Sequence, residues 1–379
     1  MNKKKLRILH CLEKLYSGGV ERRRLTLAKL LDQNQYEQKI ICTEARGPLA
    51  DEIRSHGVEI IQELPFNSIF DWKRYQRGAK FMRDWQPDIV HGAVFEGCAM
   101  AAVAGRLARR PIILTEETSD PQNRSWRGHL LYRAIVSLAD YAVAVSPAVG
   151  TYLNEKIKVP RKKIRVITNG VIPPRIPNPA EIHAKRDELG LPKDAFVVGS
   201  VGRVFNSPKR FSDLIEAVAI LKVSCPNLYL LIVGDGPDKS MLERLAEQLG
   251  MQNRVIFTGY QYDTGLIYAL MDVFALVSEY EAFGLVLVEA MFCGLPIVTS
   301  GEGGMKNIVV NNETGVFVPK RNVQAIATAL QNLYFDKPLG KQMGEAGRLR
   351  AQEHFSAERY VKDVDEFYQF LAKKYGVFK

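Results

Sequence analysis

The chain has 379 residues, 46% of them hydrophobic and 25% charged. That composition is ordinary for a soluble α/β protein, and the length exceeds one typical core, so two domains of about 150–200 residues are expected. The formal net charge of +10 points to an anionic partner, no nucleic-acid-binding module is recognisable, and no apolar run approaches the ~20 residues that span a bilayer.

In chain order, apolar strand-like runs alternate with helical patterns, the signature of parallel βαβ units. The basic start, residues 1–7, lacks a leader's apolar stretch and small-residue cleavage site, and reads as a charged lead-in to the first strand. Strands are predicted at 6–11, 39–42, 58–61, 89–91, 112–114, 141–145 and 164–167, with helices such as 18–31 and 97–107 between them. Pro173, Pro174, Pro177 and Pro179 then break all periodicity, so 173–180 reads as a linker. A second series follows at 196–201, 229–233, 255–257, 273–277, 297–299 and 315–318, and late helices cover 323–333, 339–353 and 357–375. The reading is α/β, with doubly wound domains at 1–172 and 181–359 facing across a cleft and ligands at the carboxyl ends of the strands.

The charge is uneven. Residues 1–180 hold 30 Lys and Arg against 18 Asp and Glu, and the remainder 22 against 24. Basic clusters at 3–7, 22–24, 73–77, 106–110 and 161–165 give the first domain the anionic partner, or else are solvated helix faces. Cys11, Cys42, Cys98, Cys225 and Cys293 are scattered without a Cys-x-x-Cys pair, and the histidines lack His-x-x-x-His spacing. Neither a disulfide framework nor a structural metal is suggested, and the thiols read as core residues in a reducing cytoplasm.

The chemistry concentrates in the second half. Glu281 and Glu289, with seven residues between them, flank Phe283-Gly284 and an apolar run. The first follows a strand. The second lies on a helix whose buried face is expected to be Leu285, Val288, Met291 and Phe292. A strand-to-helix turn at Gly284 offers backbone N–H groups of Gly284, Leu285 and Val286 and a positive dipole end to an anion. Carboxylates beside such a site suit the hydroxyls of a molecule both phosphorylated and sugar-like. The strand at 196–201 ends in Gly202-Arg203, with Lys209 beyond. Glycine admits a phosphate to the backbone, and the two cations supply paired charge to a diphosphate. Gly18-Gly19, between the first strand and a helix, is a weak phosphate signal alone. Gly234-Asp235-Gly236-Pro237 has Lys239 where a dinucleotide fingerprint needs its third glycine, and reads as a strand-ending turn. Tyr260, at the end of another strand, can meet a nucleotide base.

Glu281 and Glu289, with Phe283-Gly284, Ala290-Met291, Cys293-Gly294-Leu295-Pro296 and Gly303-Gly304, resemble the Glu-x7-Glu signature of retaining glycosyltransferases of the GT-B type, family 4. The Gly202-Arg203 and Lys209 segment and the Gly18-Gly19 loop are similar to the same family. The resemblance is strongest over 196–318 and implies a GT-B fold and transfer of a sugar from a nucleotide-diphosphate sugar, UDP-linked by preference. It implies Glu289 on the ribose, Arg203 and Lys209 on the diphosphate, Glu281 on the sugar, and Gly18-Gly19 closing over the donor. It also implies that a last helix, about 360–379, returns to the first domain. No metal is expected, because the two cations neutralise the departing diphosphate.

The chain departs from the family at several points. Thr115-Glu116-Glu117 stands where many relatives have a histidine near the reacting sugar, so Glu117, or else Glu116, is the candidate for that contact. Lys209 lies one residue further along than is common, Arg210 replaces a frequent glycine, Asn307 a frequent glutamate, and Ile172 a frequent aspartate. The basic first domain fits a glycan or lipid-linked acceptor in bacterial surface-polysaccharide assembly, with a cytoplasmic protein in possible peripheral contact with the inner membrane face. A nucleotide-sugar epimerase of the same fold and a non-catalytic sugar-nucleotide-binding protein are the alternatives.

Overall fold

The computed structural model describes residues 4–16, 18–63, 68–110, 112–118 and 124–378. The chain divides into two compact units, Met1–Val171 with Ala357–Lys379, and Ile172–Ser356.

In the first unit, seven strands, β1 (Leu6–Cys11), β2 (Tyr36–Cys42), β3 (Glu59–Gln62), β4 (Ile89–Ala93), β5 (Ile112–Glu117), β6 (Tyr141–Ala144) and β7 (Ile164–Val166), form one sheet. Their order is β3-β2-β1-β4-β5-β6-β7, and every pairing is parallel. Strands of such sheets are covered on both faces and so read as continuous apolar runs; Leu6, Ile8 and Leu9 are fully buried. A separate two-stranded pair joins Lys14–Leu15 to Glu44–Ala45.

The Ala357–Lys374 helix belongs to this unit. Its buried Tyr360, Val361, Val364, Phe367, Tyr368 and Leu371 recur with the helical period and share a core with Leu6, Ile8, Ile89, Ile112 and Leu114. Lys379 and Lys3 lie outside the described residues. The run expected as a helix at 97–107 begins at Val94 and includes a π-helical turn over Met100–Ala104.

In the second unit, β8 (Phe196–Val201), β9 (Leu228–Val233), β10 (Val255–Gly259), β11 (Val273–Leu276), β12 (Ile297–Thr299) and β13 (Gly315–Phe317) form a parallel sheet in the order β10-β9-β8-β11-β12-β13. Both sheets are doubly wound, and in each the strand order reverses once, between β1 and β4 and between β8 and β11. Pro179 and Ala180, read from sequence as linker, instead open the Pro179–Glu188 helix. Asn178 accepts from the Glu181 amide while the Glu181 carboxylate accepts from the Asn178 amide, a capping box with proline at its first turn.

Cys11, Cys42, Cys98 and Cys225 are buried as expected for core thiols, whereas Cys293 is exposed. The basic clusters divide in the same way. Arg23, Arg24 and Arg74 are buried at 2%, 1% and 1% exposure, so two of the five are partly interior. Among the described residues no helix is long and apolar enough to cross a membrane.

Candidate functional site

The reversal point of a doubly wound sheet leaves a crevice at the strands' carboxyl ends. In the second unit, β8 and β11 flank that point. β8 runs into Gly202 and Arg203, then the short Asn206–Lys209 helix. β11 runs into Ser278 and Glu281. The two loops meet: Lys209 Nζ donates to Glu281 Oε1 at 2.6 Å, and Ser278 Oγ donates to the same oxygen at 2.8 Å. Arg203 is exposed and makes no ion pair among the described residues. Arg210 adopts φ 57°, ψ 39°, the left-handed conformation that glycine takes freely. Its guanidinium forks onto the buried Asp213 carboxylate at 3.0 and 2.7 Å.

The Leu285–Phe292 helix starts at Gly284, φ 109°, with no side-chain cap. Its first amides, those of Gly284, Leu285 and Val286, therefore lie at a positive dipole end beside Glu281. Its buried residues are Leu287, Val288, Glu289, Ala290 and Met291, while Leu285 and Phe292 are only half-buried. The expected face is corrected accordingly. The Lys337–His354 helix covers the Met291 flank, where a Cβ placed on Gly347 would lie 3.5 Å from Met291.

Glu289, on the opposite flank, is 5% exposed. It accepts from the Tyr268 hydroxyl at 2.8 Å. Tyr268 escaped the sequence reading because it sits in the apolar run Leu266–Met271; the available signal was that a buried tyrosine hydroxyl needs an acceptor. Ser278 gave no signal of its own.

The loop after β12 is laced to the Glu281 turn. Gly304 N donates to Glu281 O at 2.7 Å, and Ser300 Oγ donates to Ser278 O at 2.6 Å. Gly303 has φ 64°, and a Cβ there would sit 2.3 Å from Glu281 O, so the position excludes other residues on two counts. Asn307 Oδ1 nearby is buried with no partner among the described residues. On the other flank, a Cβ on Gly234 would stand 2.0 Å from Gly202 O. The Gly-Asp-Gly-Pro turn is there to let the end of β9 approach the Gly202 loop. Tyr260 follows β10, half exposed, where Gly234 N donates to Gly259 O at 2.9 Å.

In the first unit, Gly18 and Gly19 are exposed and begin the Gly19–Leu30 helix without a side-chain cap. The Glu21 carboxylate lies against Gly18. Glu116 and Glu117 end β5, both 2% exposed, and each is held by its own arginine partners. Glu116 pairs with Arg23 and Arg24 (2.6 Å), and the His91 ring lies 3.6 Å away. Burial pushes its carboxyl up, and the guanidiniums of Arg23 and Arg24 more than reverse this, holding it far below the usual range. Arg23 also donates to Asn169 Oδ1 at 3.0 Å. Glu117 pairs with Arg124 at 2.7 Å, and Arg124 reaches the Tyr152 hydroxyl at 3.0 Å and stacks on Tyr132. No sequence signal marked the arginine partners, which stand 92 and 93 residues from Glu116.

These two doubly wound units, with a carboxylate–cation pair and an uncapped helix start at the β8–β11 reversal, define the GT-B class of α/β proteins. A family model described as glycosyl transferases group 1 matches residues 181–350, and one described as glycosyltransferase family 4 matches 17–175. The chain belongs to this glycosyltransferase family. It is 30% identical over 238 residues to an N-acetyl-alpha-D-glucosaminyl L-malate synthase of Bacillus anthracis, covering 63% of this chain and 61% of that one. It is 35% identical over 214 residues to the lipopolysaccharide core biosynthesis glycosyltransferase LpsE of Rhizobium meliloti, covering 56% and 59%. The match thus spans about three fifths of either relative. The fold resembles that of Anabaena Alr3699/HepE, crystallised with UDP-glucose, with a TM-score of 0.85 at 22% identity over 96% of this chain and 99% of that one.

Proposed function

We propose that the chain transfers a sugar, with retention, from a nucleoside-diphosphate sugar, UDP-linked by preference, to a glycan or lipid-linked acceptor of a surface polysaccharide. The observation that carries this reading is the Lys209–Glu281 contact at the sheet's reversal point, beside the uncapped helix start at Gly284. A cation, a carboxylate and a row of backbone amides fit a diphosphate joined to a sugar. The UDP-glucose complex of Alr3699/HepE and the lipopolysaccharide role of LpsE support donor and acceptor class respectively.

In this reading Arg203 and Lys209 hold the diphosphate and stabilise it as it departs, without a metal ion. The amides of Gly284, Leu285 and Val286 bind its oxygens. Glu289, oriented by Tyr268, accepts from the ribose hydroxyls, and Tyr260 faces the base. Glu281 takes the donor sugar's hydroxyls, with its carboxylate fixed by Lys209 and Ser278. In the first unit, Gly18-Gly19 and Glu117, which is held by Arg124, are the residues this reading assigns to substrate.

The test incubates the protein with UDP-, GDP- and ADP-sugars, with and without bacterial lipid extract, and follows diphosphate release and product together. Release that requires an acceptor supports transfer. Isomerisation of the donor without acceptor, or binding without turnover, would overturn it.

A further inference from the structure

The outward face of the Trp72–Trp85 helix is both cationic and aromatic. Its buried residues, Arg74, Tyr75, Gly78, Ala79 and Met82, share one side. At 3.6 residues per turn, Trp72, Lys73, Gln76, Lys80 and Arg83 fall within about 100° of arc on the other. These five and Leu107 line an open groove of about 650 Å³. Trp72 is 53% exposed, and Phe70, just before the helix, 79%.

Lys73, Lys80 and Arg83 make no ion pair among the described residues, whereas Arg77, beside them, is drawn off to Glu63 at 2.8 Å. Elsewhere in the unit the basic clusters are partly neutralised within the fold. Arg23 and Arg24 are interior partners of Glu116, and Arg106 holds Asp140 at 3.0 Å.

We propose that this face docks on an anionic lipid bilayer, with Lys73, Lys80 and Arg83 meeting headgroup phosphates and Trp72 and Phe70 entering the interface. A soluble polyanion would call for the cations alone. Exposed indole and phenyl rings beside the cations suit a surface that is charged outside and apolar beneath, where such amphipathic side chains are favoured. The proposal deepens the functional reading by placing the chain where a lipid-linked acceptor resides, and it rests on that reading only for the acceptor.

The full chain is sedimented with phosphatidylcholine vesicles, with and without phosphatidylglycerol, at low and high salt. Pelleting is expected only with phosphatidylglycerol and should fall as salt shortens the screening length. Lys73→Gln with Lys80→Gln should lower the partition coefficient about 30-fold, at about 1 kcal/mol per charge. Lys156→Gln with Lys162→Gln, exposed cations elsewhere in the unit, should retain most binding. Phe70→Ser with Trp72→Ser should weaken binding even where salt has removed the electrostatic part.

Unchanged pelleting of the Lys73/Lys80 variant, or an equal loss in the Lys156/Lys162 variant, would overturn the assignment. So would binding indifferent to the Phe70/Trp72 changes and competed away by dextran sulfate, which would mark a polyanion site. UDP affinity measured on each variant separates a lost surface from a lost fold. Wild-type protein that binds vesicles but no UDP would refute the donor reading and leave this one standing.

Discussion

Lys209 Nζ stands 2.6 Å from Glu281 Oε1 across 72 residues of sequence, joining the loops of the two strands at which the second sheet reverses. In the proposed donor, the distal phosphate and the anomeric carbon are likewise neighbours. A cation for one and a carboxylate for the other are held side by side by the fold, each partly shielded, at 21% and 18% side-chain exposure. The pair therefore positions both groups at once.

From this contact, Glu281→Ala should lower kcat far more than UDP affinity, because its partner is the sugar as charge develops. Lys209→Met should lower both. Combining them should depart from additivity by about 0.5–3 kcal/mol, as expected for residues in contact. Steady-state kinetics and UDP titration of the three variants decide this, and strict additivity would dissolve the pair as a unit.

Glu289→Ala removes an ionised acceptor of the ribose hydroxyls and should weaken UDP binding by about 1.5–3 kcal/mol, roughly 10–150-fold. Tyr268→Phe removes only the hydrogen bond that aims the carboxylate and should lose about 1 kcal/mol. Calorimetry on folded variants reads both. An unaltered affinity in Glu289→Ala would refute the ribose assignment.

Arg203→Ala should weaken UDP much more than uridine, since only UDP carries the charges it would meet. Arg203→Lys should rescue poorly, because the planar fork is lost. Equal losses for UDP and uridine would take Arg203 out of the diphosphate contact.

Glu116→Ala leaves two interior guanidiniums, those of Arg23 and Arg24, without their carboxylate. A broken buried pair costs about 3–5 kcal/mol, so urea unfolding should show a loss of that size. A stable Glu116→Ala protein that had lost turnover would instead make Glu116 the substrate contact in place of Glu117.

Stability should also decline in acid. Burial, then the nearby Arg24, hold His91 down at about 3, and burial with Arg24 and His91 lowers His10. Both are neutral when folded and take up protons when unfolded. The stability they contribute is complete above the ordinary histidine value of 6.5; as pH falls below it His91 loses its share toward about 3, and His10 loses its share in the same direction. Each adds up to about 1.4 kcal/mol per pH unit. Thermal unfolding from neutral to acidic pH measures this, and a flat profile for wild type, or no flattening in His91→Gln, would contradict it.

The strands were legible because parallel sheets are written as apolar runs, and β1, β8 and β12 fall at their expected bounds. Gly284 and Glu281 were legible because turn and carboxylate are local in sequence. Contacts over long separations were not, so the Glu116 cluster and Tyr268 stayed hidden. Arg210 in a glycine's conformation was visible only as a substitution, and its compensation, the Asp213 pair, only in three dimensions. The helix that opens at Pro179 is hidden in the sequence because Asn178 and Glu181 are polar residues whose capping box exists only as mutual hydrogen bonds.

The Ala357–Lys374 helix has a consequence for the order of synthesis. Leu6, Ile8, Ile89 and Ile112 are made early, yet the Tyr360, Phe367 and Tyr368 that cover them leave the ribosome after the whole of the second unit. The later-made unit can close first, while the earlier one waits with an apolar face bare. During that interval the bare apolar face is an aggregation hazard that the finished fold no longer carries.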